Sequence, residues 1–218
     1  MTALRRLVLL RHAQTAWNAE GRAQGHLDVG LDDVGRAQAA TVAPTISALG
    51  PTVLWSSDLA RAATTAAVVA EACALEVRHD ARLREYDVGE RAGLTIPEFA
   101  AAYPAEHAAW AAAGGSFEHA DAVPGAESTA DVLGRIVPVL REVLDSVPPG
   151  GTACVVGHGA ALKVATIALL GWDRTVSASL RGLDNCGHTL LDDAGPGASL
   201  RLVAWNRTPD FAPRESVG

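Results

Sequence analysis

The 218-residue sequence predicts an α/β fold, a three-layer αβα sandwich with a mostly parallel sheet and a helical lid insertion. Short apolar runs alternate with longer stretches of helical periodicity, which is typical of parallel strands joined by helices that cover both faces of a sheet. One long segment, residues 81–127, has helical patches without a strand pattern, and we interpret it as the lid. The length suits one core, so we expect residues 1–218 to form a single domain that carries this lid.

The first part of the chain predicts three strands separated by two helices. The first strand is apolar throughout, as a buried parallel strand should be, and a polar loop follows it over residues 11–31. Pro44, a residue that is unfavourable inside a helix, interrupts an otherwise helical pattern. In chain order the predicted elements are the strand 7–10, the helix 33–49, the strand 52–55, the helix 59–74 and the strand 75–77.

The part after the lid predicts two helices and three strands. Ser128 is the predicted N-cap of the first helix, and Asp131 three residues later forms a weak capping box. The run Pro-Pro-Gly-Gly at 148–151 ends that helix. In chain order the predicted elements are the helix 128–146, the strand 152–156, the helix 160–170 and the strands 187–191 and 200–204.

Composition excludes several classes of protein. Hydrophobic residues make up 49% of the chain and charged residues 20%, which is ordinary for a globular protein. The net charge of −7 argues against a nucleic-acid partner, because such proteins usually present a basic face. No apolar run approaches the roughly 20 residues of a membrane helix, so we expect no membrane partner. Three widely spaced cysteines in apolar contexts are typical of reduced thiols in a cytoplasmic protein.

Basic and imidazole side chains follow three of the predicted strands. Arg11 and His12 come directly after the first strand, Arg61 follows the second, and His158 follows the strand 152–156 within Gly-His-Gly. Because the carboxyl ends of parallel strands meet at one edge of a sheet, we expect these groups to converge there. The helix that begins at Ala160 presents its N-terminus to the same edge, where backbone N–H groups favour anions. The sequence therefore predicts a phosphate-sized positive pocket.

Phosphoryl transfer needs a nucleophile, positive charge around the phosphoryl oxygens and an acid for the leaving oxygen. A neutral imidazole is a competent nucleophile, and His12 and His158 both supply one. Glu85, just beyond the third strand at the root of the lid, is the candidate acid. Asp87 and Glu90 are nearby carboxylates that leave this assignment open.

Several sequence blocks together resemble the histidine phosphatase superfamily, in its phosphoglycerate-mutase-like branch. The resemblance runs from about Leu7 to Asn206. Each block alone is weak, and their order makes the set specific. The blocks are Leu-Arg-His-Ala-Gln-Thr-Ala-Trp-Asn at 10–18, Gln-Gly at 24–25, Ser-Ser-Asp-Leu-Ala-Arg-Ala at 56–62, Leu-Arg-Glu at 83–85 with Gly89 and Gly-Leu-Thr at 93–95, Pro-Gly-Ala-Glu-Ser at 124–128 and Gly-His-Gly at 157–159.

The resemblance implies a role for each candidate residue. It implies that His12 is phosphorylated, that Glu85 acts as acid and then as base, and that water resolves the phosphoenzyme. Arg11, Arg61 and His158 would clamp the phosphoryl oxygens. The remaining phosphate-binding candidates are Asn18, Gln24, Gly25 and Ala160. The resemblance implies no metal and no cofactor, because arginines supply the positive charge, and it leaves a homodimer open.

Two positions depart from the family pattern. Ala13 replaces the glycine that most members carry after the histidine, and we expect it to be tolerated provided that its φ is negative. Arg91 stands where relatives often have an aromatic residue, as either a substrate contact or a solvated side chain. The tryptophans most often pack in cores and lids, and among them Trp110, in the lid, is the one to examine for a functional role.

The predicted function is that of a phosphomonoester hydrolase acting on a small-molecule phosphate. The alternative is a cofactor-dependent phosphoglycerate mutase, which must grip a second anionic group. Residues 97–127 contain no Arg or Lys, which favours the phosphatase and a neutral or weakly charged leaving group. A non-catalytic binding protein on the same scaffold is disfavoured, because such proteins typically lack the nucleophile or a clamp arginine.

Overall fold

The structure is a computed structural model that describes residues 4–116, 118, 122–193 and 200–209. The predicted single domain, 1–218, therefore extends beyond the described residues at both ends and at 194–199. Within the predicted lid, 81–127, residues 117 and 119–121 lie outside the described set.

The described residues form a six-stranded sheet in the order β3-β2-β4-β1-β5-β6. Strand β4 pairs in parallel with both β1 and β2, and β2 pairs in parallel with β3. Strand β5 pairs antiparallel with β1, and β6 pairs antiparallel with β5. The predicted, mostly parallel sheet is thus confirmed. The strands are β1 (Arg5–Arg11), β2 (Val53–Ser56), β3 (Val77–His79), β4 (Thr152–Gly157), β5 (His188–Asp193) and β6 (Leu200–Arg207).

Seven α-helices accompany this sheet within the described residues. Within the described ranges, short 3₁₀ turns lie at Ala81–Leu83, Gly89–Arg91 and Arg174–Ser179. The helices are α1 (Ala16–Glu20), α2 (Asp33–Ser47), α3 (Ala60–Cys73), α4 (Ile96–Ala102), α5 (Pro104–Ala112), α6 (Thr129–Asp145) and α7 (Gly159–Leu169). The capping box predicted at Ser128 and Asp131 is present at the start of α6.

Alternate residues of the central strand β1 point to opposite faces of the sheet and define two cores. Leu7 and Leu9 pack with the buried side of α6 and α7. Val8 and Leu10 pack with the buried side of α2 and α3. Because both faces of β1 are covered at its centre, the four buried residues 7–10 are all apolar, and arginines occupy only the ends of the strand. The protein is therefore the three-layer αβα sandwich that the sequence predicts.

The lid is helical, as predicted, and carries a small core of its own. Phe99 on α4 and Trp110 on α5 pack with Val123, and the indole N–H of Trp110 donates a hydrogen bond to the Ser116 carbonyl oxygen. An isolated antiparallel bridge between Val88 and Ala126 joins the two ends of this segment.

The third strand lies two residues later than the prediction. The apolar pattern places it at 75–77, whereas β3 spans Val77–His79. The N–H of Leu75 donates to the Ala70 carbonyl oxygen, so Leu75 still belongs to the end of α3, where Ala74 has a φ of 54°. Strand β3 is an edge strand with exposed Arg78 and His79, a half-solvated pattern that an apolar run does not reveal.

The predicted loop 11–31 contains the helix α1, which the sequence analysis did not identify. Thr15 caps this helix, and Asn18 completes a capping box. The helix has only five residues and buries none of them, so it leaves no hydrophobic periodicity to detect. No helix within the described ranges is long and apolar enough to cross a membrane.

Candidate active site

A cavity of about 200 Å³ opens at the edge of the sheet where β1, β2 and β4 end. In the register of these strands, Arg11 is level with Gly157, and Ser56 is level with Val156. This alignment brings the predicted site residues together. The residues that line the cavity are Arg11, His12, Trp17, Asn18, Gly21, Arg22, Ala23, Gln24, Gly25, Arg61, Glu85 and Arg91.

His12 lies directly after β1 and is 3% exposed. Its backbone N–H donates to the Gly157 carbonyl oxygen at 2.9 Å, which ties the loop to the end of β4. Its Nδ1 atom lies 2.7 Å from the carbonyl oxygen of Ala13. Because a carbonyl oxygen can only accept, Nδ1 carries the proton and Nε2 carries a lone pair. The hydrogen bond therefore selects the tautomer in which Nε2 is the nucleophile.

The charge state of His12 follows from its surroundings. Burial lowers the pKa of His12 well below its ordinary value, and the positive charges of Arg11 and Arg61 lower it further. The imidazole is therefore neutral at physiological pH. A neutral imidazole keeps the lone pair that attack on phosphorus requires.

Two arginines flank His12, of which Arg61 is buried and Arg11 is half-buried. Arg61 donates from its two Nη atoms to the carbonyl oxygens of Leu27, at 2.8 Å, and Gly25, at 2.7 Å. Burial lowers the pKa of Arg61 to about 10, which still leaves it protonated at neutral pH. Arg11 donates from Nη1 to the carbonyl oxygen of Leu183. The Nε atoms of Arg11 and Arg61 have no hydrogen-bond partner among the described residues, so each keeps a donor for an anion.

His158 lies behind His12 rather than at the cavity wall. It is fully buried at the junction of β4 and α7, and its ring meets that of His12 edge-on, with centroids 5.2 Å apart. Burial, reinforced by the charge of Arg61, lowers the pKa of His158 well below its ordinary value. Its Nε2 atom lies 2.9 Å from Ser57 Oγ, and its Nδ1 atom has no partner within the described part of the chain. Its role as a phosphate clamp stays a prediction.

Glu85 lines the cavity at the start of α7. Its carboxylate accepts hydrogen bonds from the backbone N–H groups of Ala160 at 3.0 Å, Ala161 at 2.8 Å and Tyr86 at 3.1 Å. The anion position predicted at this helix N-terminus is thus held by Glu85 itself, and phosphate binding by Ala160 stays a prediction. Of the three candidate acids, all within the described residues, only Glu85 lines the cavity.

The main chain at Glu85 is held by a residue that the sequence analysis missed. Arg135 on α6 donates to the carbonyl oxygens of Glu85 and Arg84, each at 2.7 Å, and forms an ion pair with Glu127 at 2.7 Å. A single guanidinium therefore connects both ends of the lid segment to α6. An arginine on a helix surface carries no local signal for this role.

The first loop is held by a network around Thr15. Its Oγ1 atom lies 3.1 Å from Gln24 Oε1, and its backbone N–H donates to Asn18 Oδ1 at 3.1 Å. Asn185 Nδ2 donates to the His12 carbonyl oxygen at 3.1 Å and lies 3.3 Å from Asn18 Oδ1. Asn185 precedes β5, whose start lies beside the end of β1 because the two strands are antiparallel. Recognising from the sequence that β5 is antiparallel to β1 would have identified Asn185 as a neighbour of His12.

The two departures from the family pattern have clear structural settings. Ala13 is fully buried with a φ outside the positive region, and its N–H donates to Thr65 Oγ1 at 3.1 Å, so the methyl group is accommodated as expected. Arg91 is 7% exposed and lines the cavity, so the interpretation of Arg91 as a solvated side chain is wrong. Its guanidinium carbon lies 4.4 Å from the centroid of Trp110.

The described residues contain no group of three or more His, Cys, Asp or Glu side chains that could hold a metal ion. The positive charge at the cavity comes from arginines instead. Besides Arg11 and Arg61, the cavity is lined by Arg91, which the sequence analysis left open as a substrate contact, and by Arg22, which it did not identify.

Comparison with known proteins gives consistent matches over almost the whole chain. The family model described as histidine phosphatase superfamily (branch 1) matches residues 7–208, which include every candidate site residue. The glucosyl-3-phosphoglycerate phosphatase of Mycolicibacterium vanbaalenii is 36% identical over 96% of this chain and 97% of that protein. The probable phosphoglycerate mutase GpmB of Cronobacter sakazakii is 37% identical over 84% of this chain and 83% of that protein.

A solved structure of a mycobacterial glucosyl-3-phosphoglycerate phosphatase in complex with VO3 superposes with a TM-score of 0.81. It is 35% identical in sequence, and the match covers 94% of this chain and all of that one (100%). The likeness therefore extends to the sheet, the lid and the edge where the cavity lies.

Proposed function

The chain belongs to the histidine phosphatase superfamily, and from this premise we propose that it hydrolyses a small-molecule phosphomonoester through a phosphohistidine at His12. The observation that supports this most directly is the hydrogen bond from His12 Nδ1 to the Ala13 carbonyl oxygen. It leaves Nε2 with a lone pair at the wall of a cavity that Arg11 and Arg61 make positive.

In the first step, Nε2 of His12 attacks phosphorus, and the bond between phosphorus and the leaving oxygen breaks. Glu85 enters this step in its protonated form and gives that proton to the leaving oxygen. The Nε donors of Arg11 and Arg61 bind phosphoryl oxygens, which offsets the negative charge of the transition state. The Nδ1–H bond to Ala13 stabilises the positive charge that the imidazole acquires.

In the second step, the carboxylate of Glu85 takes a proton from water as the water oxygen attacks the phosphohistidine. The bond between phosphorus and Nε2 breaks, inorganic phosphate forms, and the imidazole regains its lone pair. Glu85 is protonated again, so it is ready for the next turnover.

A mutase on the same site is the second candidate, and the likeness to GpmB favours it. A mutase returns the phosphoryl group to its bound product and excludes water from the phosphoenzyme. The two candidates differ in one assay: a mutase interconverts 2- and 3-phosphoglycerate, whereas a phosphatase releases inorganic phosphate. The likeness to glucosyl-3-phosphoglycerate phosphatases makes glucosyl-3-phosphoglycerate the first natural ester to include in a panel.

The test is release of phosphate from p-nitrophenyl phosphate in EDTA, for the wild type, His12→Ala and His79→Ala. His79 is an exposed histidine on the edge strand β3 and serves as the matched control. We expect turnover by the wild type and by His79→Ala, and none by His12→Ala. Activity that survives in His12→Ala would overturn the mechanism.

A further inference from the structure

His158 is buried with one of its two ring nitrogens unpaired. The residue lies where β4 meets α7, and its Nδ1 atom has no hydrogen-bond partner among the described residues. A buried polar atom without a partner costs free energy, so it calls for an explanation such as a ligand that completes it. The other ring nitrogen, Nε2, lies 2.9 Å from the hydroxyl oxygen of Ser57, a residue that the proposed mechanism does not use.

Ser57 lies in the turn between β2 and α3 and is itself fully buried. Its backbone N–H donates to the carbonyl oxygen of Val156 at 3.0 Å, which fixes it beside the end of β4. The N–H of Leu59 donates to the Ser57 hydroxyl oxygen at 3.3 Å. This oxygen is therefore already paired as an acceptor, and the hydroxyl hydrogen still needs an acceptor of its own. Within the described part of the chain, the atom in contact with the hydroxyl that can accept is His158 Nε2.

The charge state of His158 limits the direction of this hydrogen bond. Burial lowers the pKa of His158 well below its ordinary value, and the charge of Arg61 lowers it further, so the imidazole is neutral and carries one N–H and one lone pair. If Ser57 donates to Nε2, the Ser57 hydroxyl is fully paired and only the Nδ1–H is left over. If Nε2 donates instead, the hydroxyl hydrogen and the Nδ1 lone pair both lack a partner. The first arrangement is therefore the more stable one.

We propose that Ser57 is a positioning residue that fixes the tautomer of His158. Its hydroxyl donates to Nε2, the ring carries its proton on Nδ1, and this N–H is the donor that His158 offers to a phosphoryl oxygen on His12. The two imidazole rings meet edge-on with centroids 5.2 Å apart, so the donor is held beside the reacting group. A phosphoryl oxygen accepts hydrogen bonds, and the opposite tautomer would turn a lone pair towards it. This inference rests on the proposed function.

The first test determines the tautomer by NMR of the histidine nitrogens in the wild type, with and without inorganic phosphate. The variant His158→Gln identifies the signals of His158. We expect a neutral ring with its proton on Nδ1 at about pH 7, and a downfield shift of that proton when phosphate binds, because hydrogen bonds to an anion are short and strong. A proton on Nε2 in the wild type, or a His158 signal that bound phosphate does not change, would overturn the inference.

The second test removes the hydroxyl. In Ser57→Ala the His158 proton should distribute over both ring nitrogens, and kcat/KM for p-nitrophenyl phosphate should fall about 10- to 100-fold, the range for a lost hydrogen bond to a charged group. Ser57→Thr keeps a hydroxyl and should restore the Nδ1–H tautomer together with most of the rate. An unchanged tautomer or an unchanged rate in Ser57→Ala would contradict the positioning role.

The matched control is Ser56→Ala. Ser56 is also fully buried, but its hydroxyl donates to a main-chain atom, the carbonyl oxygen of Ser57, at 2.8 Å. This variant should keep the Nδ1–H tautomer of His158. An equal redistribution of the proton in Ser56→Ala and Ser57→Ala would show that the tautomer does not depend on the Ser57 hydroxyl, and would overturn the inference.

Failure of the proposed function looks different. A wild type that cleaves p-nitrophenyl phosphate while His158 carries its proton on Nε2 overturns only the role of Ser57. A wild type that releases no phosphate overturns the proposed function itself, whichever tautomer the spectrum shows. Since the wild-type spectrum needs no variant at position 57, a poorly folded Ser57→Ala does not obscure the result.

Discussion

The carboxylate of Glu85 accepts a hydrogen bond from the backbone N–H of Ala161 at 2.8 Å. This contact joins the root of the lid to the first turn of α7, the helix that follows His158. The proposed proton donor is therefore anchored to the same edge of the sheet as the proposed nucleophile. Its position relative to His12 is therefore fixed by α7, which binds its carboxylate, and by α6, whose Arg135 holds its main chain.

Replacing Glu85 with Gln should affect poor leaving groups far more than good ones. An alkyl alkoxide needs a proton as it leaves, whereas p-nitrophenolate does not. We expect kcat/KM for an alkyl phosphomonoester to fall about 100- to 10,000-fold, with a much smaller loss on p-nitrophenyl phosphate. The measurement is the ratio of the two values in wild type and variant. The control is Asp87→Asn, since the Asp87 side chain is 44% exposed and does not line the cavity. Equal losses on both esters would contradict the acid role.

His12 should remain neutral through the physiological range. Burial, Arg11 and Arg61 all lower its pKa, so protonation begins only below the ordinary value of about 6.5. We expect NMR of histidine-labelled protein to show the Nδ1–H tautomer with no titration between about pH 6.5 and 8. In Arg61→Met the pKa of His12 should rise, because one of the two positive charges that lower it is gone. A wild-type midpoint at or above the ordinary value would refute the assignment.

The two buried histidines should make stability depend on pH. Their pKa values are lowered in the folded state, so below about pH 6.5 the unfolded chain binds protons that the folded chain does not. Stability is therefore full above that pH and falls as the pH decreases, by up to about 1.4 kcal/mol per pH unit for each histidine. The free energy of unfolding, measured with urea at a series of pH values, should depend less steeply on pH in His12→Asn than in wild type. His79→Gln, on an exposed position, should not change the slope.

Gly25→Ala should damage both the fold and phosphate binding. Gly25 has a φ of 52°, and an added Cβ would lie 2.7 Å from Val88 Cγ2. We expect a loss of about 1–3 kcal/mol in stability. Phosphate should also inhibit more weakly, because the Gly25 carbonyl oxygen holds Arg61.

Gly50→Ala provides the comparison. Gly50 has a φ of 65°, has nothing within 4 Å of an added Cβ and does not line the cavity, so it isolates backbone strain from the clash. It should cost about 1 kcal/mol and leave phosphate inhibition unchanged. Equal inhibition constants in the two variants would show that Gly25 does not position Arg61.

The sequence predicts the core of the site because strand ends leave a strong local signal. An apolar run that stops at Arg11-His12, and another that stops at Gly-His-Gly, indicate where β1 and β4 end. The parallel pairing of these strands then brings His12 and His158 together, with ring centroids 5.2 Å apart. The fold class follows from the same alternation of strands and helices.

The residues that the sequence analysis missed or left open owe their positions to tertiary structure. Asn185 reaches His12 because β5 is antiparallel to β1, and strand direction leaves no mark on a short apolar run. Arg91 lines the cavity with its guanidinium against Trp110, which lies on the separate helix α5. No pattern within a few residues of Arg91 distinguishes it from a solvated arginine.

The separation between the sheet edge and the lid has an evolutionary consequence. The groups proposed to break the ester bond are fixed by β1, β2, β4 and α7, whereas Arg91 and Trp110 are supplied by an insertion with a small core of its own. Because Glu85 belongs to the root of the same segment, only mutations in its helices α4 and α5 can alter the surroundings of the cavity without touching a group proposed for the phosphoryl chemistry. The fold can thus diversify its substrates while conserving one reaction, and a library limited to α4 and α5 is the economical route to a phosphatase of new selectivity.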